Sequence, residues 1–179
     1  SLDDPKRVEL TLRLADLYFD VSIKEGKSED FETLKKNRMK ALALYENSLE
    51  GRNGLVKAKG LKRVKIQFQM ARLLSRLEEG ARAQRHYQEV YENDLTPKKM
   101  KEQAALALGE WFEEEVKYLS ALKFYGLAKS LCESLATCNY VNYRLGWLHY
   151  KDNRLDEAID AMELSLWDDQ TNLRENSLN

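Results

Sequence analysis

Leu108-Gly109-Glu110-Trp111-Phe112, followed by Ala121, Tyr125 and Ala128, returns 37 residues later as Leu145-Gly146-Trp147-Leu148-His149, followed by Ala158, Met162 and Ser165. An earlier copy, Met70-Ala71 with Leu74, Ala83, Tyr87 and Val90, precedes the first of these by 38 residues. The earliest has Leu14-Ala15 and Tyr18, then Ala41, Tyr45 and Ser48, and 26 residues separate Ala15 from Ala41 where the later copies use 12. Steps of three and four keep side chains on one face of a helix. Each copy therefore reads as two helices that approach closely at Gly or Ala and fill the space a turn later with Tyr or Met. One such pair cannot cover its own apolar faces, so the copies are expected to stack.

Composition agrees with that reading. Only 8 Gly and 2 Pro in 179 residues leave too few breakers for a many-stranded sandwich or barrel, and the chain is expected to be all-α. Helices are placed at about 4–25, 33–50, 58–77, 80–93, 98–115, 118–133, 138–151 and 154–168. They form units at about 4–51, 58–95, 98–135 and 138–170, a polar tail at 171–179, and a single repeat domain over 1–179. The extra residues of the first unit, Ser22 to Lys35, read as an extended first helix plus a polar loop. Gly51-Arg52-Asn53-Gly54 ends the second helix with residues that tolerate left-handed angles. Thr96-Pro97 is read as the cap and first turn of the fifth helix, and Asp152 or Asn153 as the cap of the last.

Net charge is −1, from 29 basic and 30 acidic residues, which argues against a wholly basic nucleic-acid binder. No apolar run approaches the roughly 18 to 20 residues of a membrane span. The opening Ser1-Leu2-Asp3-Asp4-Pro5 has no initiator Met and no secretory apolar core, and is read as the start of a piece of a longer chain. Cys132 and Cys138 match no common zinc or redox spacing; two buried or half-buried thiols at a helix junction is the favoured reading, a disulfide the alternative.

Chemistry is sparse. His86 and His149 lie two units apart, and His149 occupies the place of a core aromatic. Gly51, Gly54 and Gly60 lack the Gly-Lys-Ser or Gly-Lys-Thr of a phosphate loop and any preceding apolar strand. Glu113-Glu114-Glu115 reads as a solvated face rather than an acid/base pair. No catalytic set, metal site or cofactor is expected.

A Leu-Gly or Leu-Ala pair, an aromatic or large apolar residue three later, then Ala, aromatic and small residue at offsets of four and three resembles the tetratricopeptide repeat family. The period exceeds that family's roughly 34 residues, and Glu133 and Gln170 stand where it closes on Pro. The resemblance implies a right-handed α-solenoid of about four hairpins, with first helices lining a concave groove. It implies groove-facing positions at Leu12, Asp16 and Phe19; Phe68, Arg72 and Ser75; Leu106, Glu110 and Glu113; and Tyr143, Trp147 and Tyr150. Lys62, Arg63, Lys65 and Arg76 make a basic step in the second unit, Glu114 extends an acidic one in the third, and Tyr140, Arg144 and Lys151 join an aromatic shelf in the fourth. Packing against a neighbouring hairpin is the plain reading of the shelf. A partner site is the sharper one, since Trp, Tyr and Arg dominate binding hot spots.

The implied function is a non-catalytic scaffold that binds a protein or peptide segment in its groove, with Tyr140, Tyr143, Arg144, Trp147, Tyr150, Lys65, Phe68, Arg72, Arg76, Glu110 and Glu113 as contact residues. Family members that clamp acidic chaperone tails carry Lys, Asn and Arg where Leu12, Asp16, Gln69, Gln103 and Ala107 stand here, so that partner is disfavoured. Nucleic-acid binding through Lys57, Lys59, Lys62, Arg63 and Lys65 is a disfavoured alternative, because Phe68 alone interleaves them. A structural role is the third: Ile159, Met162, Leu166 and Trp167 leave the last hairpin apolar, which calls for further repeats or a second copy to cover it. The opening Val8 to Phe19 is similar to first repeats of bacterial cell-envelope proteins of the motility or assembly type, which favours an envelope or periplasmic location over the cytoplasm.

Overall fold

A computed structural model describes residues 5–23 and 31–176, with side chains over 6–23 and 31–166. Among the described residues there are eight helices and no strand: α1 (Pro5–Ile23), α2 (Phe31–Glu50), α3 (Gly60–Arg76), α4 (Gly80–Glu92), α5 (Lys98–Glu114), α6 (Tyr118–Leu131), α7 (Leu135–Lys151) and α8 (Leu155–Asn176). Each odd-numbered helix packs chiefly on the even-numbered helix after it, giving four hairpins; α2 also packs on α3, and α6 on α7. The chain forms two compact units, Ser1–Thr96 and Pro97–Asn179, each holding two hairpins.

The hairpins close where small side chains recur. Ala15, Ala71, Gly109 and Gly146 are all buried, as are the facing Ala41, Ala83, Ala121 and Ala158. A Cβ added to Gly109 would lie 2.8 Å from the Tyr125 ring, and one added to Gly146 would lie 2.6 Å from Met162 Cγ and 3.2 Å from the Ala158 carbonyl. The large residue one turn on is thus what seals each gap. Tyr45, Tyr87 and Tyr125 are buried, each worth roughly 1.5 to 3 kcal/mol of apolar transfer. In the fourth hairpin Met162 and Ser165 are only half-buried. The buried Tyr hydroxyls are not orphaned, since Tyr45 donates to Asp16 and Tyr125 to Glu113 at 3.1 Å.

The turns repeat as faithfully as the cores. Glu78, Val116 and Asn153 all adopt left-handed backbone, with φ of 62°, 61° and 59°. The N–H after each returns to the carbonyl five residues earlier: Glu79 to Leu74 at 2.9 Å, Lys117 to Phe112 at 2.8 Å, and Arg154 to His149 at 2.9 Å. This is the Schellman closure of a helix C-terminus. Glu and Val pay about 1 to 2 kcal/mol for that conformation, so hairpin packing rather than local preference selects it.

Several sequence expectations are corrected. Asp152 ends α7 and Asn153 is the left-handed turn residue, so neither caps α8. The Thr96 hydroxyl donates to the Val90 carbonyl at 2.7 Å and ties off the end of α4, leaving Pro97 as the residue before α5. Helix α7 begins at Leu135, three residues earlier than placed, because the Ser134 hydroxyl accepts the Thr137 N–H at 3.2 Å. Ser22 is buried within α1 and donates to the Phe19 carbonyl, whereas residues 24–30 of the expected loop, and the side chains of the tail and of Trp167, lie outside the described residues. Arg38 lies outside the repeat pattern. From α2 its guanidinium donates to the Ser22 carbonyl at 3.3 Å and the Arg76 carbonyl at 3.1 Å, joining the ends of α1 and α3. No described helix is long and apolar enough to cross a membrane.

Two glycines test this packing with opposite signs. Nothing lies within 4 Å of a Cβ on Gly126, inside α6, so Gly126→Ala should gain about 1 kcal/mol of helix propensity. Gly109→Ala has the same gain but must displace the buried Tyr125 ring, an overpacking that costs about 1 to 3 kcal/mol. Thermal unfolding should show the first variant more stable and the second less, by roughly 2 to 8 °C per kcal/mol; the reverse order would refute the assigned contacts.

Candidate functional site

Helix α7 carries Tyr140, Tyr143, Arg144, Trp147, Tyr150 and Lys151 at steps of three and four, which puts them on one face. Opposite them on α5 stand Glu110 and Glu113, one turn apart. Glu113 is the hub. Its Oε2 accepts from Arg144 Nη2 at 2.6 Å, from Arg144 Nε at 3.1 Å and from the Tyr125 hydroxyl at 3.1 Å, while Lys151 Nζ approaches Oε1 at 3.7 Å. The Arg144 guanidinium also lies 6.0 Å from the Tyr125 ring centre and 5.8 Å from that of Tyr140. Tyr140 donates to Glu110 at 2.9 Å, and Lys151 sits 5.1 Å over the Tyr118 ring.

Burial and then the bond to Glu110 push the Tyr140 phenol up to about 12, so it remains a donor across the whole physiological range. Burial likewise holds the Glu110 carboxyl above its ordinary value, with the Tyr140 bond and the Arg144 charge opposing. These ties fix the orientation of α7 against α5 and α6 by charge-assisted hydrogen bonds rather than by apolar contact alone.

What the ties leave uncovered is a row of three rings. Trp147 meets Tyr143 edge-on at 6.3 Å and 81°, and Tyr150 at 5.7 Å and 90°. Trp147 stays 40% exposed, and Tyr143 and Tyr150 more so. The rings therefore brace one another and still offer their faces to solvent.

The α5–α6–α7 end of the second unit thus brings together seven of the expected contact residues: Glu110, Glu113, Tyr140, Tyr143, Arg144, Trp147 and Tyr150. The other four belong to the first unit, and Phe68 is corrected there. It is buried against Tyr87, edge-on at 6.1 Å, and belongs to the α3–α4 core. Phe19, expected in the groove, is buried too and lies beneath the Arg72 guanidinium at 5.0 Å. Arg72 also donates to Gln69 at 3.0 Å. Lys65 and Arg76 are exposed. With Phe68 buried, no exposed aromatic among the described residues interleaves Lys57, Lys59, Lys62, Arg63 and Lys65.

Cys132 and Cys138 are joined by a disulfide with Cα atoms 5.5 Å apart, which corrects the expectation of two thiols. Cys132 ends α6 and Cys138 lies in the first turn of α7, so the bond closes the connection that leads into the aromatic face. His86 and His149 are each half-buried, and burial lowers both below the ordinary imidazole value, favouring the neutral ring.

No protein-family model and no curated protein matches the sequence. Among solved structures, the crystal structure of BtubC (BKLC) from P. vanneervenii aligns over 90% of this chain and 81% of its own, with a TM-score of 0.54 and 17% identity. The likeness is one of fold.

Glu110 gives the site a pH signature. Its raised folded value means that the native state holds the proton more tightly than the unfolded chain, so its contribution falls as pH rises through the carboxylate range and is least favourable at neutrality. Glu110→Gln keeps an acceptor for Tyr140 and removes that charge. It should raise the unfolding midpoint at pH 7, with the difference shrinking toward about pH 4; denaturant titrations at the two pH values check this, and a variant less stable at pH 7 would contradict it.

Proposed function

We propose that the chain is a non-catalytic protein-interaction scaffold, a right-handed solenoid of four tetratricopeptide-like hairpins that docks an extended or helical segment of another protein on its first-helix side. The solenoid reading is supported by the recurrence of both core and turn. A buried Ala or Gly recurs in each hairpin with a Tyr or Met one turn on from the facing Ala, and Glu78, Val116 and Asn153 turn the chain at the spacing of the sequence repeat. The docking reading rests on one observation, the exposed Tyr143–Trp147–Tyr150 row on α7.

Large rings with few rotors lose little entropy when covered, and truncating such a central residue typically costs 2 kcal/mol or more. Here the rings already brace each other, which lowers the ordering cost of binding. The nearby charges are spent inside the site: Glu113 is matched by Arg144, Tyr125 and Lys151, and Glu110 by Tyr140. That arrangement suits a rigid platform better than proton transfer, which supports a role without catalysis. The Cys132–Cys138 bond fits an oxidising compartment such as the bacterial cell envelope.

Peptides selected from a random displayed library on the intact chain provide the test. They should bind Trp147→Ala about 30-fold more weakly, the equivalent of about 2 kcal/mol, with helicity by circular dichroism unchanged. Selected peptides that bind the variant as well as the parent, or a variant that loses its helicity, would reject the ring row as the docking site.

A further inference from the structure

From residue 51 to residue 77 the chain has eight basic residues and no acidic one, although acids outnumber bases in the chain as a whole. Two of the eight are engaged within the fold: Arg52 pairs with Glu50, and Arg72 lies over the Phe19 ring and bonds to Gln69. Five of the others, Lys57, Lys59, Lys62, Arg63 and Lys65, fall within nine residues. Among the described residues none of these five side chains has an ion pair or a hydrogen bond. The acids that adjoin the same elements, Glu9 on α1 and Glu50 at the end of α2, are already paired with Arg13 and Arg52.

The fold gathers these cations. Gly51 turns the chain out of α2 with φ of 72°, and the Ala58 N–H returns to the Ser48 carbonyl at 3.1 Å, which pins the connection before α3. Lys59 is extended, and Ala58 is buried while Lys57 and Lys59 on either side of it are exposed. Leu61, Lys62 and Lys65 follow on the first two turns of α3 at steps of three and four, all exposed. Lys57, Lys59 and Lys62 edge an open recess of about 360 Å³ walled by Val8 and Val56. Aliphatic groups lie among the charges: Val56 is 46% and Leu61 41% exposed. Leu95 reaches the same helix start, its Cδ1 4.0 Å from a Cβ placed on Gly60, and the five cations outnumber its chain neighbour Asp94.

We infer that this patch docks the protein on a lipid surface bearing anionic headgroups, with the cations at the headgroup phosphates and Val56 and Leu61 in the interfacial layer. Binding of this kind adds apolar burial to attraction by a basic cluster and needs no spanning helix. Four of the five cations are Lys, compact charges that do not require the fixed planar acceptor an Arg fork matches, so they suit a fluid array of phosphates. Their stems can lie along Val56 and Leu61 while the ammonium groups reach outward. A nucleic acid would leave those aliphatic groups against sugar and phosphate, with no exposed ring to stack a base, since Phe68 is buried. An acidic peptide presents carboxylates at fixed places, for which Arg is the better match. The inference does not depend on the aromatic face of α7.

Flotation of the intact chain with phosphatidylcholine vesicles, with and without about 30% phosphatidylglycerol, tests it. The chain should float only with the anionic vesicles, and less as salt rises from about 0.1 M to about 1 M and the Debye length falls from about 10 to about 3 Å. Lys59→Glu with Lys62→Glu should weaken partitioning about tenfold or more with helicity unchanged. The same reversal at the exposed Lys35 and Lys36 of α2 should change it less than about twofold, which separates the patch from net charge. Leu61→Ser should weaken it about threefold. Equal flotation with neutral vesicles overturns the inference, as does a Lys59/Lys62 variant that floats like the parent. Unchanged flotation of Leu61→Ser would mean that charge alone is read and overturns the lipid assignment. So would tighter binding, at the same salt, to a single-stranded oligonucleotide or to polyglutamate than to the anionic vesicles.

Discussion

Backbone carbons on Gly109 and Gly146 come so near the next helix that a methyl group would overlap Tyr125 or Met162. Everything else in the hairpins follows from that approach. With small residues at the contact, two helices draw together until the bulk one turn later must seal the gap. The seal then fixes both the axial register and the rotation of the pair, since interiors close-pack and tolerate neither void nor overlap. Ala15, Ala71 and the facing alanines impose the same limit in the first two hairpins. Once register and rotation are set, the outward directions of every other side chain on those helices are set too.

That dependence explains which features were legible. The repeat could be read from residues alone because close approach demands small and large side chains at a fixed phase, and few sequences satisfy it four times by accident. Helix ends were harder. The turns at Glu78 and Val116 are left-handed without glycine, and no local preference announces them; they are imposed by the packing on either side. Thr96 has the chemistry of a cap, yet its hydroxyl finds the Val90 carbonyl first. The cysteine pair is equally opaque, because its bond depends on where two helix ends meet in space rather than on their spacing in sequence.

The candidate site was legible in part, for a related reason. Helical phase put Tyr143, Trp147 and Tyr150 on one face of α7, and they are there. The same phase put Phe19 and Phe68 on equivalent faces of α1 and α3, where they are buried. Phase reports direction and not what lies in that direction. Arg72 from α3 covers Phe19, and Tyr87 from α4 flanks Phe68. The α7 rings meet one another edge-on, and solvent reaches all three.

The tyrosine that seals the hairpin also links the core to the surface. A buried phenol must place its hydroxyl, since leaving it unpaired costs about 1 to 3 kcal/mol. In the first hairpin the Tyr45 hydroxyl finds Asp16, one place after the small residue, and in the third the Tyr125 hydroxyl finds Glu113, four places after it. A carboxylate is thereby drawn to the edge of the core, where burial alone would have excluded it. Glu113 must then be neutralised, and Arg144 reaches across from α7 to do so. One core hydroxyl, by way of a carboxylate and a guanidinium, thus ties the orientation of the helix that carries the exposed rings to the packing inside the preceding hairpin. Equivalent cores can therefore carry different surfaces, because only the small-and-large seal has to recur, while the acid that answers the tyrosine, and whatever answers the acid, differ from hairpin to hairpin.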